Sequence, residues 1–222
     1  MAKRAMTEEA KRAKAEAILD RTQEMFLSIG YEKIKMSDIA KSMNISNGLL
    51  FVYFKTKETL FMCMLWREYE KRLDYLIDMA KKTTIKSYAD VKQLFMSELA
   101  ILVDSNPLYI RLESMRSAIF EKNTGREVMF NMKKQLFERT QEFTSLVSRS
   151  GVLTQAQLID IFFTEAAIIT GSKLGTDLPE DIRNIIQQIG ADGFVRDFKK
   201  DVTEAVGCFL DGFGQKLLRK KG

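Results

Sequence analysis

Between Lys35 and Lys57 the chain sets short polar residues beside small and aliphatic ones, in the run Ile45-Ser46-Asn47-Gly48-Leu49-Leu50-Phe51-Val52-Tyr53. These residue types suit recognition of a polyanion rather than bond-making. Ser46 stands where a helix can begin, and the free N–H groups and positive dipole end of a helix start attract phosphate. The amide of Asn47 can pair with a base edge, and Leu49 and Val52, on the exposed face, can touch a thymine methyl. Gly48 has no side chain, so its helix can approach a groove floor closely. The plain alternative makes Leu49, Leu50, Phe51 and Phe54 all core. Leu50 and Phe54 are assigned to the core, while Leu49 and Phe51 stay open between the two readings.

Composition narrows the chemistry further. The 222 residues contain no histidine, which excludes the usual neutral-pH proton shuttle, imidazole metal ligation and any histidine-based nucleophile relay. No glycine-rich phosphate loop is present. The two cysteines, Cys63 and Cys208, lie too far apart for metal-ligand spacing and read as inert thiols in a reducing cytoplasm. No catalytic residue, metal or cofactor is therefore expected. The N-terminal stretch lacks the apolar core of a secretory signal, and no run reaches the roughly 18–20 apolar residues of a membrane span. Residues 1–57 hold eleven Lys and Arg against seven Asp and Glu, so four of the five net positive charges fall in the first quarter. A polyanion-binding module would place them there.

The elements that position these residues follow from helical periodicity and capping. Apolar residues at Ala15, Ile18, Leu19, Met25 and Phe26 predict a first helix from Glu8 to Ile29, stopped at Gly30. A short helix is predicted over Met36–Ser42, a turn at Met43-Asn44-Ile45, and a second short helix after Ser46 through Val52. Thr56 opens a long helix from Lys57 to Lys82. Two short helices joined by a three-residue turn behind a supporting helix make the helix-turn-helix plan. Further helices are predicted over 87–105, 107–121, 126–150, 154–173, 180–189 and 195–218. The fold class is all-α: a three-helix DNA-binding domain over residues 1–57 and a helical domain over 58–222.

The stretch from Gly30 to Phe61 resembles the DNA-binding domain of the tetracycline-repressor (TetR) family. Ile18-Leu19, Phe26, Gly30-Tyr31, Asp38-Ile39-Ala40, Ile45-Ser46-Asn47-Gly48, Tyr53-Phe54 and Lys57-Glu58 with Leu60 match in order and spacing. The resemblance implies that Tyr53 and Lys57 clamp phosphate, setting register without reading sequence. The chain departs from the family pattern at three positions. Asn44 stands at the tight turn where glycine is usual, and asparagine is the next residue most able to adopt positive φ. Phe51 replaces a tyrosine, and Lys35 replaces a threonine, giving a charge-based phosphate contact in place of a hydroxyl one. The basic arm Lys3, Arg4, Lys11, Arg12 and Lys14 reads equally as a backbone-following arm or a solvated tail.

The resemblance further implies that the C-terminal domain dimerises and binds a small molecule. The helix after Thr154 is apolar on two faces, one through Leu158, Phe162, Ala166 and Ile169, the other through Ile159, Phe163, Ala167 and Thr170. The last helix carries Val202, Val206, Phe209, Phe213 and Leu217, with Gly207, Gly212 and Gly214 nearby. The expected interface uses Leu158, Phe162, Ala166, Ile169, Val206, Phe209 and Phe213, two helices from each copy. For the ligand, Trp66, Tyr69, Arg111, Met115, Met132, Phe137, Thr140 and Glu165 are the expected liners. Glu165, inside FFTEAAII, must meet a cationic ligand or pair with a basic residue such as Arg111 or Arg116. The expected whole is a cytoplasmic, homodimeric, ligand-responsive repressor on a palindromic double-stranded DNA operator, released by a largely apolar small molecule and not associated with a membrane. The alternative is a DNA-associated structural or division protein that uses the same head without an effector.

Overall fold

A computed structural model describes residues 7–219, so the basic positions Lys3 and Arg4 lie outside the described residues. The order is α1 (Glu8–Ile29), α2 (Met36–Ser42), α3 (Asn47–Tyr53), α4 (Lys57–Lys82), α5 (Tyr88–Ser105) and α6 (Pro107–Met115). A π-helical turn over Arg116–Phe120 leads into the short α7 (Glu121–Asn123). The chain continues with α8 (Arg126–Ser148), α9 (Gln155–Thr176), α10 (Glu180–Gln188), a 3₁₀ turn at Asp192–Phe194 and α11 (Phe198–Arg219). The all-α class is as the periodicity predicts, and no strand occurs among the described residues. No described helix is long and apolar enough to cross a membrane.

The helix starts carry the caps that the sequence provides. The Ser46 hydroxyl accepts from the Leu49 amide at 3.1 Å, and Thr56 accepts from the Thr59 amide at 3.0 Å. Ser87 with Asp90, and Thr154 with Gln157, form reciprocal capping boxes, which explains why α5 and α9 begin where they do. α6 departs from expectation. A single α-helix was predicted to Glu121, but one π turn intervenes at Arg116–Phe120. The wider turn changes the direction in which Phe120 leaves the helix, and Phe120 is fully buried.

The chain divides into two compact units: Met1–Arg67 with Met115–Asn131, and Glu68–Ser114 with Met132–Gly222. In the first, Ile18, Phe26, Ile39, Leu50, Phe54, Leu60 and Phe61 are buried. Phe61 is the centre of an aromatic cluster, with Phe26 edge-on at 5.3 Å, Tyr31 at 4.8 Å and Phe120 at 5.7 Å between centroids. In the second unit α11 packs on α9 and α5 through Val202, Val206 and Leu210.

Two backbone positions in the first unit decide the path of the chain. Gly30 has φ 78° and ψ 166°, a region open essentially to glycine alone, so α1 ends there and the chain turns toward Tyr31. Asn44, with φ 53°, is the one positive-φ residue other than glycine among those described, and it makes the turn between α2 and α3. Gly30→Ala should therefore lower stability by about 1–3 kcal/mol, whereas Asn44→Gly should stay within about 1 kcal/mol of the parent. Urea unfolding followed by circular dichroism measures both, and an unchanged midpoint for Gly30→Ala would contradict the backbone assigned here.

Candidate nucleic-acid interface and the buried polar cluster

α3 has one face turned into the first unit and one turned out. Leu50 is fully buried, with Phe54 just beyond the helix, and these two hold α3 against the unit. Asn47, Gly48, Leu49, Phe51 and Val52 are exposed, Val52 to 77%, and Tyr53 is half-buried. Leu49 and Phe51, open on sequence grounds, thus lie outside the core. Asn47–Tyr53 contains no charged residue, so the outward face offers one amide and three apolar side chains. A Cβ placed on Gly48 would meet only the Ser46 hydroxyl, at 3.9 Å, so the chain's own packing does not require glycine there.

The cations lie around α3 rather than on it. Lys35, Lys41 and Lys55 are exposed. Lys57 is held: its ammonium donates to the Tyr31 carbonyl at 2.6 Å and sits 3.7 Å from the Tyr31 ring centroid. Burial lowers its pKa. The Tyr31 hydroxyl in turn donates to Glu58 at 2.9 Å, so the start of α4 is fastened to the turn after α1. An ammonium has three donors, and one committed to Tyr31 leaves others for a phosphate.

The second unit contains a buried ionic cluster that the sequence reading placed on the wrong partner. Glu165 pairs with neither Arg111 nor Arg116 but with Arg72 of α4, and Arg72, Glu98 and Glu165 are all buried. Arg72 grips Glu98 of α5 through both its Nε and Nη2, at 2.7 and 3.0 Å, and donates to the Tyr109 hydroxyl of α6 at 2.9 Å. Its Nη2 also donates to Glu165 of α9, and its guanidinium lies 4.6 Å from the Phe162 ring. Glu165 Oε1 has no hydrogen-bond partner. Burial, with the neighbouring Glu98 charge adding to it, pushes the Glu165 carboxyl up to about 8 against the opposing pull of Arg72. One cation between two carboxyls is neutral when they share one proton, and burial raises both Glu98 and Glu165.

The other expected ligand liners fall in different places. Trp66 and Met115 belong to the first unit. In the second, Tyr69 is buried and donates to Glu113 at 2.7 Å, Met132 is buried, and Arg111 is half-buried. Phe137 and Thr140 of this group meet in a cleft of about 210 Å³ between α8 and α9, where Lys133, Leu136, Gln141, Ile159 and Phe163 also line the wall. Among the described residues no three Asp, Glu or Cys side chains gather as a metal site requires. Cys63 and Cys208 are free thiols, and burial pushes Cys63 up to about 11.

The interface expectation needs correction. Leu158, Phe162, Ala166, Ile169 and Val206 are already buried within a single chain, so they have no surface left for a partner. They are the inward stripe of α9 and α11, with Phe162 lying under Arg72. Phe209 and Phe213 are half-buried, and Phe213 stacks on Tyr88 at 6.4 Å. Gly214 admits the Tyr88 ring, which would meet a Cβ there at 2.6 Å, but Gly207 and Gly212 have nothing within 4 Å. The outward stripe holds Phe163, Ala167 and Leu174 of α9 and Ala205, Cys208 and Gly212 of α11, all exposed.

Comparison with known proteins follows these two units. Residues 18–62 match the family of bacterial regulatory proteins named for TetR, and residues 67–216 match the tetracyclin repressor-like C-terminal domain. An uncharacterized HTH-type transcriptional regulator of Bacillus subtilis, YuxN, is 31% identical over 81 residues, 36% of this chain and 28% of YuxN. IcaR of Staphylococcus aureus, the HTH-type negative transcriptional regulator of the biofilm operon icaADBC, is 24% identical over 132 residues, 60% of this chain and 66% of IcaR. The match thus spans less than two thirds of either relative. A crystal structure assigned to the TetR-family regulators, from Mesorhizobium loti, superposes with TM-score 0.58 at 16% identity, covering 94% of this chain and 97% of the other. A TetR regulator from Legionella pneumophila gives 0.50 at 17% identity, covering 94% and 98%.

The cluster around Arg72 makes stability depend on pH. A carboxyl whose pKa is raised by folding favours the folded state while it is protonated. This contribution is therefore complete below the ordinary value of 4.5 and is lost as pH climbs from there to about 8. Glu165→Gln should remove that decline, because the amide still accepts from Arg72 and carries no charge. Arg72→Met should cost about 3–5 kcal/mol at pH 8, where it strands buried carboxylates, and less at pH 5. Denaturant titrations across this range check both, and an identical pH slope for the parent and Glu165→Gln would refute the assignment.

Proposed function

Because the chain belongs to the TetR family of transcriptional regulators, we propose that it is a homodimeric repressor that grips a palindromic operator and releases it when a small, largely apolar molecule binds the second unit. As a member of that family it is a DNA-binding regulator and not an enzyme. The observation that carries the reading is the outward face of α3. Leu49, Phe51 and Val52 are exposed without structural use, beside Asn47 and a Gly48 that nothing in the chain requires. An α-helix fits the major groove, and apolar contacts there select thymine through its C5-methyl group while an Asn amide selects adenine. Lys35, Tyr53 and Lys57 supply sequence-independent phosphate contacts, with Ser46 at the helix start.

Dimerisation supplies the second recognition helix, one helical turn of DNA away, about 34–36 Å. The outward stripe of α9 and α11 suits that role: Phe163 and Leu174 offer apolar area, while Ala167, Ala205 and Gly212 permit close helix approach. IcaR is a negative regulator by name, which supports repression as the mode of action. α4 contributes residues to both units, so a ligand that prefers one arrangement of the second unit changes how the two heads present α3. The shift equals the ligand's differential affinity for the two arrangements; equal affinity would release nothing.

Two experiments test this reading. Operators selected from random duplex DNA should be rich in thymine at the positions facing Leu49 and Val52. Replacing those thymines with uracil, which removes only the methyl groups, should weaken binding several-fold per half-site, and Asn47→Ala should relax discrimination at one or two positions. Indifference to uracil at every position would mean that another surface reads the sequence. For assembly, Phe163→Glu should give a folded monomer in sedimentation with operator affinity lost. Phe162→Glu should unfold the second unit, since it would bury a third carboxyl beside Glu98 and Glu165 around the single Arg72 cation. A Phe163→Glu variant that remains dimeric places the interface elsewhere.

A further inference from the structure

We propose that the cleft between α8 and α9 binds a neutral aromatic molecule of one or two rings carrying a single hydroxyl or carbonyl group. The proposal names the effector of the reading above, and rests on that reading only for what happens at the operator. Phe137 of α8 and Phe163 of α9 line the cleft from opposite helices. Phe163 stands where the cleft meets the outward stripe assigned above to a second copy, whereas Phe137, on α8, lies off that stripe and remains 61% exposed. Leu136 and Ile159 continue the apolar wall, and Lys133 and Gln141 complete the lining.

The wall also holds one anomalous polar group. Thr140 is only 4% exposed, and its hydroxyl has no hydrogen-bond partner. Thr144, one turn on, shows the ordinary alternative, donating to the carbonyl of Thr140 at 2.9 Å. A buried hydroxyl without a partner is uncommon enough to require a reason, and a ligand's polar atom would supply the missing bond.

Size and polarity set the ligand class. A cavity of about 150 Å³ already accepts benzene, so a cleft of about 210 Å³ takes one ring or two fused ones. A helix, at about 10–12 Å across, does not fit. Lys133 is exposed and Gln141 half-buried, so Thr140 is the one buried polar group of the wall. A full charge held against its hydroxyl would lose its water with nothing of that depth to offset it, which favours a neutral molecule.

The probes are 2-naphthol and naphthalene, titrated against the full chain by fluorescence. 2-Naphthol should bind. Thr140→Val, which keeps shape and removes the hydroxyl, should weaken 2-naphthol about tenfold while leaving naphthalene unchanged. Ile159→Trp, which fills the cleft, should abolish binding of both. Thr140→Val should melt no lower than the parent, because it deletes a polar group without a partner. The proposal is overturned if 2-naphthol fails to bind, or binds all three proteins alike. It is also overturned if binding appears only on dilution, since a side chain from a second copy would then occupy the cleft. Binding with the expected pattern but without change in operator affinity leaves the cleft standing and removes the effector reading.

Discussion

The second unit is organised by one guanidinium. Arg72 projects from α4 into a space closed by α5, α6 and α9, and each of these sends it a group: Glu98, Tyr109, and Glu165 with the Phe162 ring. An apolar contact tolerates a helix that slides or rolls; a bidentate carboxylate does not. Replacing such a cluster with packed apolar residues need not cost stability, so its contribution lies in orientation more than in net free energy. Arg72 is required once the carboxyls are present, because removing it leaves negative charge in a medium that cannot solvate it.

The first unit solves a different problem, that of holding a seven-residue helix rigid while exposing most of it. α3 buries only Leu50 and is too short to persist alone in water. Its geometry is therefore borrowed from the turn at Asn44, the Ser46 cap and the anchor at Phe54. Behind these stand the aromatic cluster on Phe61 and the fastening of Lys57 to the Tyr31 carbonyl. The same lysine is thus both a structural tie within the head and the cation assigned to phosphate in the proposed complex.

Much of this was legible in the sequence, because helix boundaries are set by local chemistry. Gly30, Ser46, Thr56, Ser87 and Thr154 mark helix limits by rules that need no tertiary knowledge. The failures share a cause: facing partners are a property of packing. Glu165 stands out inside an apolar run, yet the run itself does not say that its partner is Arg72 of α4. A signal was present, since Arg72 lies on the stripe Leu65, Tyr69, Leu73 and Leu76, and Glu98 on the stripe Val91, Leu94, Phe95 and Leu102. A charge on a buried stripe is a request for a partner, and three such residues in one domain ask for each other. The two apolar faces of α9 could not be ranked for a similar reason. Periodicity shows that both are apolar, but not which one the chain itself covers.

An uncharged α3 surrounded by lysines also separates arrival from residence. In the proposed complex, long-range attraction comes from the surrounding cations, which act on any duplex alike. Apolar contacts with thymine methyls form only at touching distance and displace no counterions. Different sequences would then be found at nearly the same rate and told apart by how long the protein stays. Salt would shorten every visit by a similar factor, leaving the ranking of sites undisturbed while the occupancy of all of them changes.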